Sequence, residues 1–177
     1  MRTRQTALEN DGLLFRKASV LDTPFIFQLM MEGSETGAFS GDFMVRAGGF
    51  RLMWFILHGL LTQNWSLTRK PALFTWQLIV DSQTEEIGFL KISDTHLSIG
   101  IRDLELLSVR SDYRNRGVGT AVIHRLVADL PKSAQLRVHC TKYARAMQHI
   151  LKRNSFKRNP KILVPKLEGY LSVNGSL

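Results

Sequence analysis

Leu107-Ser108-Val109-Arg110-Ser111-Asp112-Tyr113-Arg114-Asn115-Arg116-Gly117-Val118-Gly119-Thr120 joins a strand to a helix through a glycine-bearing turn. It begins as the end of a strand, Ile101 to Val109, passes through a turn, and opens a helix with two glycines at its first residues. Glycine has no side chain, so the backbone there can approach a ligand closely and adopt conformations closed to other residues. The first amides of a helix have no partner within it, and the helix dipole adds positive potential at that end. Arg114 and Arg116 would add charge-assisted contacts, and together these features describe a phosphate site.

Two familiar glycine loops do not fit. A P-loop ends in Gly-Lys-Ser/Thr, and no lysine separates Gly119 from Thr120. A dinucleotide fingerprint needs a third glycine or alanine where Val122 stands, and it belongs in a first βαβ unit rather than late in a chain.

Upstream of the turn, Leu13 to Lys17 alternates as a first strand. Thr23-Pro24 reads as a helix start, with Thr as N-cap and Pro at the first helical position. Phe25, Ile26, Leu29 and Met30 recur at helical spacing; Gly33, Gly37 and Gly41 break the pattern. Phe50 to Leu61 reads as a second helix. Phe74 to Asp81 and Ile87 to Ile92 form a hairpin about the turn Ser82 to Glu85. Downstream, the motif helix carries a core stripe of Val118, Ile123, Leu126, Val127 and Leu130, and Pro131 ends it. Leu136 to Cys140 is a short strand, Tyr143 to Asn154 a helix, and Ile162 to Val173 supplies one or two closing strands. With no repeat and no linker, residues 1–177 form a single mixed α/β domain behind a polar leader, 1–12.

Composition agrees. A chain of 177 residues, 44% hydrophobic and 22% charged, is globular rather than disordered. The formal charge of +9 favours anionic partners. The basic residues are scattered, and the densest group, Lys152, Arg153, Lys157, Arg158 and Lys161, reads as a solvated helix end. A single cysteine, Cys140, excludes an internal disulfide, and the five histidines lack ligand spacing, so no metal is expected. Met1 to Gly12 lacks the apolar core of a signal peptide, and Leu52 to Leu61 is about half the length of a membrane span. A soluble cytoplasmic protein is expected.

The run Arg114-Asn115-Arg116-Gly117-Val118-Gly119 resembles the Gln/Arg-x-x-Gly-x-Gly/Ala motif of the GCN5-related N-acetyltransferase (GNAT) family at every defined position. Leu107-Ser108-Val109 and Tyr113-Arg114 are similar to its fourth strand and lead-in, and the element order extends the likeness over roughly Leu13 to Val173. The resemblance implies an α/β (α+β) GNAT fold, with a mixed, mostly antiparallel central sheet flanked by helices and splayed between the motif strand and the next. It implies acetyl-coenzyme A as co-substrate and no metal. Leu107 and Val109 would offer strand backbone to pantetheine; Arg114, Arg116, Gly117, Val118, Gly119 and Thr120 would hold the pyrophosphate.

Acyl transfer requires a deprotonated amine, and a lysine-like amine has a pKa of about 10.4. Glu105 and Asp103, where the family often places acids, are the expected proton acceptors. Two residues apart, they are expected on the same face as Leu107; the structural alternatives are a solvated strand edge or an ion pair with Arg102 or Arg110. The family's leaving-group tyrosine, five residues before the closing aromatic, falls on Leu151, and Ser155 replaces the glycine before Phe156. Tyr143 is the fallback acid, with Cys140 and His149 weaker ones. Of Phe39, Phe43, Phe50, Trp54, Phe55 and Trp65, most are expected in the core and the rest at an acceptor groove or a homodimer contact. The acids there, Glu32, Glu35 and Asp42, are too few to favour polyamines.

The expected function is thus transfer of acetyl to a primary amine of a small molecule or protein. The absent tyrosine motivates a second reading, a catalytically inactive acyl-coenzyme A-binding module acting as sensor or partner-binding protein. The charge motivates a third, nucleic-acid binding.

Overall fold

Alternating apolar residues put one side of each strand into a core, and here helices cover both faces of a single sheet. A computed structural model describes residues 12–39, 48–63, 74–94, 99–159 and 167–172. β1 (Leu14–Lys17) leads through a 3-10 turn at Val20–Asp22 into α1 (Thr23–Glu35) and then α2 (Gly48–Thr62). There follow β2 (Phe74–Val80), β3 (Glu86–Ser93), β4 (Ile101–Val109), α3 (Val118–Ala128), β5 (Gln135–Thr141), α4 (Arg145–Arg153), β6 (Lys157–Arg158) and β7 (Leu167–Leu171). The seven strands lie in the order β1-β2-β3-β4-β5-β7-β6. β4 and β5 run parallel, and every other neighbouring pair is antiparallel. Among the described residues no helix is long and apolar enough to cross a membrane.

Each face has its own core. Val122, Ile123 and Leu126 of α3 and Leu151 of α4 pack on Leu90, Leu104, Leu136 and Val138. On the other face, Ile26 and Leu29 of α1 and Leu52, Ile56 and Leu60 of α2 pack on Trp76, Leu78 and Phe89.

Several boundaries differ from those expected. Thr23 is the first residue of α1 and its hydroxyl donates to the Val20 carbonyl; Asp22 takes the cap position. Gly33 does not end α1. It lies inside the helix because a Cβ there would collide with the Phe39 ring, so glycine lets that ring close on the helix. Gly41 lies outside the described residues. Phe50 and Trp54 are exposed rather than core, while Phe39 and Phe55 pack against it. The helical period explains this, since Leu52, Ile56 and Leu60 take the buried stripe and leave Phe50 and Trp54 outside it. Phe43 and Trp65 fall outside the described residues. α4 starts at Arg145, not Tyr143, and β6, which pairs with β7, comes from a segment expected to be only a basic helix end.

The end of α2 is tied into the sheet by Gln63, which is 3% exposed. Its carboxamide donates to the Ala18 carbonyl (2.7 Å) and accepts the Trp76 N–H (2.7 Å), standing in for a peptide group where β1 stops pairing with β2. Leu at this position would leave both backbone groups buried without partners, at roughly 1–3 kcal/mol each. Gln63→Leu is therefore expected to lower the urea midpoint with an unchanged denaturant slope.

Asp22 anchors the start of α1. Burial pushes its carboxyl up, but hydrogen bonds from the Arg16 guanidinium and from Ser19 outweigh this and hold it below the usual carboxylate range. A lowered folded-state pKa stabilises above the unfolded value, about 3.9, and is lost as pH falls through the folded one. Stability curves of wild type and Asp22→Asn should thus differ fully at pH 7 and converge below about pH 4.

Candidate active site

β4 and β5 pair only from Ile101–Gln135 to Leu104–Val138, although β4 continues to Val109 and β5 to Thr141. Beyond Leu104 the two strands part. The register of β4 against β3 also shifts there: Ile92 faces Leu104 and Lys91 faces Leu106, leaving Glu105 as the extra residue of a β-bulge.

The backbone beyond the bulge faces the gap. The Arg110 N–H donates to the Ile87 carbonyl (2.9 Å), so antiparallel alternation turns the polar groups of Val109 and Leu107 away from β3. On the far side the Ser172 N–H donates to the Leu136 carbonyl (3.0 Å), and the same alternation turns His139 and Thr141 toward β4. A cleft of about 900 Å³ occupies the opening, lined by both strands, the motif turn and α4.

At the turn, Gly117 caps α3 with φ +86°, a left-handed conformation that favours glycine. A Cβ there would meet nothing within 4 Å, so the conformation, not crowding, calls for glycine, and the space over it is open. The Ala121 N–H donates to the Gly117 carbonyl (3.0 Å), so the amides of Val118, Gly119 and Thr120 precede the first bond of the helix. All three residues line the cleft.

Arg114 braces this turn. Its Nε donates to the Val109 carbonyl (2.8 Å) and its Nη2 to Glu32 of α1 (3.2 Å). Arg116 lies with its guanidinium 4.9 Å from the Tyr113 ring centre and, unlike Arg114, does not line the cleft. Tyr113 is itself pinned. Its hydroxyl donates to Glu85 (2.6 Å), which pushes its pKa up to about 12, so it serves as an anchor rather than a proton donor. Two cations that the motif did not single out, Arg145 and Arg153 at the two ends of α4, do line the cleft. Neither stands in the motif turn; only the helical period of α4 could have placed them.

The acidic residues are placed differently from expectation. Leu107 packs with the α3–α4 core, whereas Leu106 packs with the α1–α2 core. Glu105 pairs with Lys91 (2.5 Å), whose ammonium lies over Phe55 and Trp76 on the α1–α2 side, so Glu105 and Leu107 are on opposite faces. The bulge is the cause, since an extra residue inverts the alternation that strict spacing predicts. Asp103 is buried, and Arg137 grips both its oxygens, with Nη2 to Oδ2 at 2.8 Å. His139 Nε2 stands 3.7 Å from the same carboxylate. The expected arginines hold other acids: Arg102 binds Asp94, and Arg110 binds Glu85 and Asp112. Glu105 lines the cleft and Asp103 does not.

Tyr143, expected in a core or capping role if not as acid, is 60% exposed in the turn before α4, beside Gly37, and lines the cleft. Leu151, at the family's tyrosine position, is fully buried. Cys140 is buried on β5 and His149 is exposed on α4; both touch the cleft.

Neither a protein-family model nor any curated protein sequence matches the chain. Solved structures do. An acetyltransferase from Thermus thermophilus superposes with a TM-score of 0.64 at 16% identity, covering 93% of this chain and 98% of that one. RimL, an alpha-N-protein acetyltransferase in complex with coenzyme A, gives 0.65 at 12% identity, with 94% and 96% covered. Spermidine N-acetyltransferase from Vibrio cholerae, in complex with coenzyme A and spermine, gives 0.62 at 12% identity, with 90% and 92% covered. Matched over nearly its whole length by acetyltransferases, the chain has the fold of the GCN5-related N-acetyltransferases.

Proposed function

We propose that this protein is an acetyl-coenzyme A-dependent N-acetyltransferase acting on a primary amine. The observation that carries the reading is the parting of β4 and β5 beside the unbonded amides of Val118, Gly119 and Thr120. An anion held at those amides and a chain hydrogen-bonded along Leu107 and Val109 together match a pyrophosphate joined to pantetheine. Coenzyme A complexes among the similar structures support the same ligand. Arg114 and Arg116 add positive charge at the turn, and Arg145 and Arg153 extend it along α4.

The reaction needs no resident cofactor. The amine nitrogen attacks the thioester carbonyl carbon, the carbonyl π pair moves to oxygen, and collapse expels the coenzyme A thiolate. The proton lost by the attacking nitrogen goes to a carboxylate, directly or through water. Glu105 is the better placed acid for this, because it lines the cleft where the strands part, while Asp103 lies behind it in the grip of Arg137. Asp103 then acts on the site by holding Arg137 and standing behind His139. Tyr143, exposed at the cleft, is the donor to the thiolate, since Leu151 has no proton to give.

Thiol release from acetyl-coenzyme A in a panel of primary amines tests this. Glu105→Gln should lower kcat/KM by about a hundredfold, the lower end of the usual worth of a general base. Tyr143→Phe should reduce kcat with little change in KM. Gly117→Trp should abolish turnover while melting within a few degrees of wild type, because the new ring enters open space and only the left-handed φ is strained. Undiminished turnover in Gly117→Trp, or wild-type binding of acetyl-coenzyme A without transfer to any amine, would overturn the proposal.

A further inference from the structure

On the α1–α2 side of the sheet the Lys91 ammonium lies 5.4 Å from the ring centre of Phe55, 5.1 Å from Phe74 and 5.6 Å from Trp76. The Glu105 carboxylate completes the enclosure at 2.5 Å. Aromatic faces with a carboxylate beside them are the chemistry by which ammonium groups are recognised. The Lys91 side chain is 14% exposed, so its charge has exchanged most of its water for these contacts. The rings are held in turn: Phe55 meets Trp76 edge-on at 6.0 Å, and Phe89 stacks on Trp76 at 5.9 Å.

The enclosure adjoins the cleft. Glu105 belongs to both, and Leu106, packed in the same cluster as Phe55 and Phe74, also lines the cleft. Among the described residues Glu105 is the only carboxylate lining the cleft, against the cations Arg114, Arg145 and Arg153.

We infer that Lys91 is a specificity-determining residue. It fills an ammonium subsite beside the acceptor position, so the acceptor is an amine without a second cationic centre near its reacting nitrogen. The inference rests on the acyl-transfer reading above. A diamine or polyamine would bring its second ammonium to a carboxylate already paired and an aromatic enclosure already occupied. An amine flanked by neutral or anionic groups meets neither obstacle, and the surrounding arginines favour the anionic kind.

Lys91→Ala empties a space the shape of n-propylammonium, which makes the subsite testable by filling it again. Melting of the full chain is followed for wild type, Lys91→Ala and Lys91→Met as n-propylammonium chloride replaces sodium chloride at constant ionic strength. Lys91→Ala should be stabilised saturably, binding the amine at least about tenfold more tightly than the other two, whose enclosures are filled. An equal response in all three, or none in Lys91→Ala, overturns the subsite. Should Lys91→Ala fold only with the amine present, that recovery is the same positive result, and failure to recover counts against it. In thiol-release assays Lys91→Ala should gain at least about tenfold in kcat/KM for an α,ω-diamine over wild type, and no gain overturns the specificity claim. Titration of the same wild-type sample with acetyl-coenzyme A separates the two readings: a wild type that fails to bind it sinks acyl transfer, while the n-propylammonium result still decides the subsite.

Discussion

Two parallel strands that stop pairing in the middle of a sheet leave peptide groups facing a gap, and buried peptide groups without partners are costly. The rest of this structure is arranged around that gap. The bulge at Glu105 re-aims β4 where pairing ends. Arg137 and Asp103 clamp the last part of the paired segment across the two strands. Beyond it, side chains satisfy some of the exposed carbonyls: Arg114 reaches Val109 and Gln148 reaches Thr141 (3.0 Å). Thr141 in turn donates its hydroxyl to the Gly37 carbonyl (2.7 Å), which ties the far strand to the end of α1. Among the described residues, what remains unmatched around Leu107, the Val109 N–H and His139 is the polar edge a ligand chain would complete.

The bulge also separates two chemistries. On the α3–α4 side lie the unbonded helix amides and the arginines of α4, a surface suited to phosphates. On the α1–α2 side the charges are matched singly, Glu105 with Lys91 and Asp103 with Arg137. The excess positive charge of the chain is therefore not one undivided field. In the cleft it gathers where a pyrophosphate is expected, and it is locally cancelled where an acceptor amine would enter.

Much of this was legible in the sequence because it rests on local rules. Gly117 sits where a left-handed cap is needed, and the strand–turn–helix order around it matches the folded chain. The hairpin at Ser82 to Glu85 and the buried stripe of α3 follow from period and turn chemistry. Most of the failures involve a partner outside the element being read. Nothing near Glu105 announces a bulge, so the expected shared face with Leu107 is inverted. The Lys91 enclosure draws on α2, β2, β3 and β4 at once, and no spacing rule joins Phe55 to Phe74 and Trp76. Gly33 reads as a helix breaker because the ring it accommodates, Phe39, lies beyond the end of α1. β6, two residues long, has no period to read.

The polar edge exposed where β4 and β5 part is the proposed seat of the coenzyme. Amide hydrogen exchange, resolved by residue, is the sharpest probe of that seat. With saturating acetyl-coenzyme A, strong slowing is expected at Leu107 and Val109 of β4 and at Val118, Gly119 and Thr120 of the turn, with little change at Leu14 to Lys17 on the far edge of the sheet. Exchange at these five amides unaltered by the ligand, or slowed no more than at β1, would contradict it.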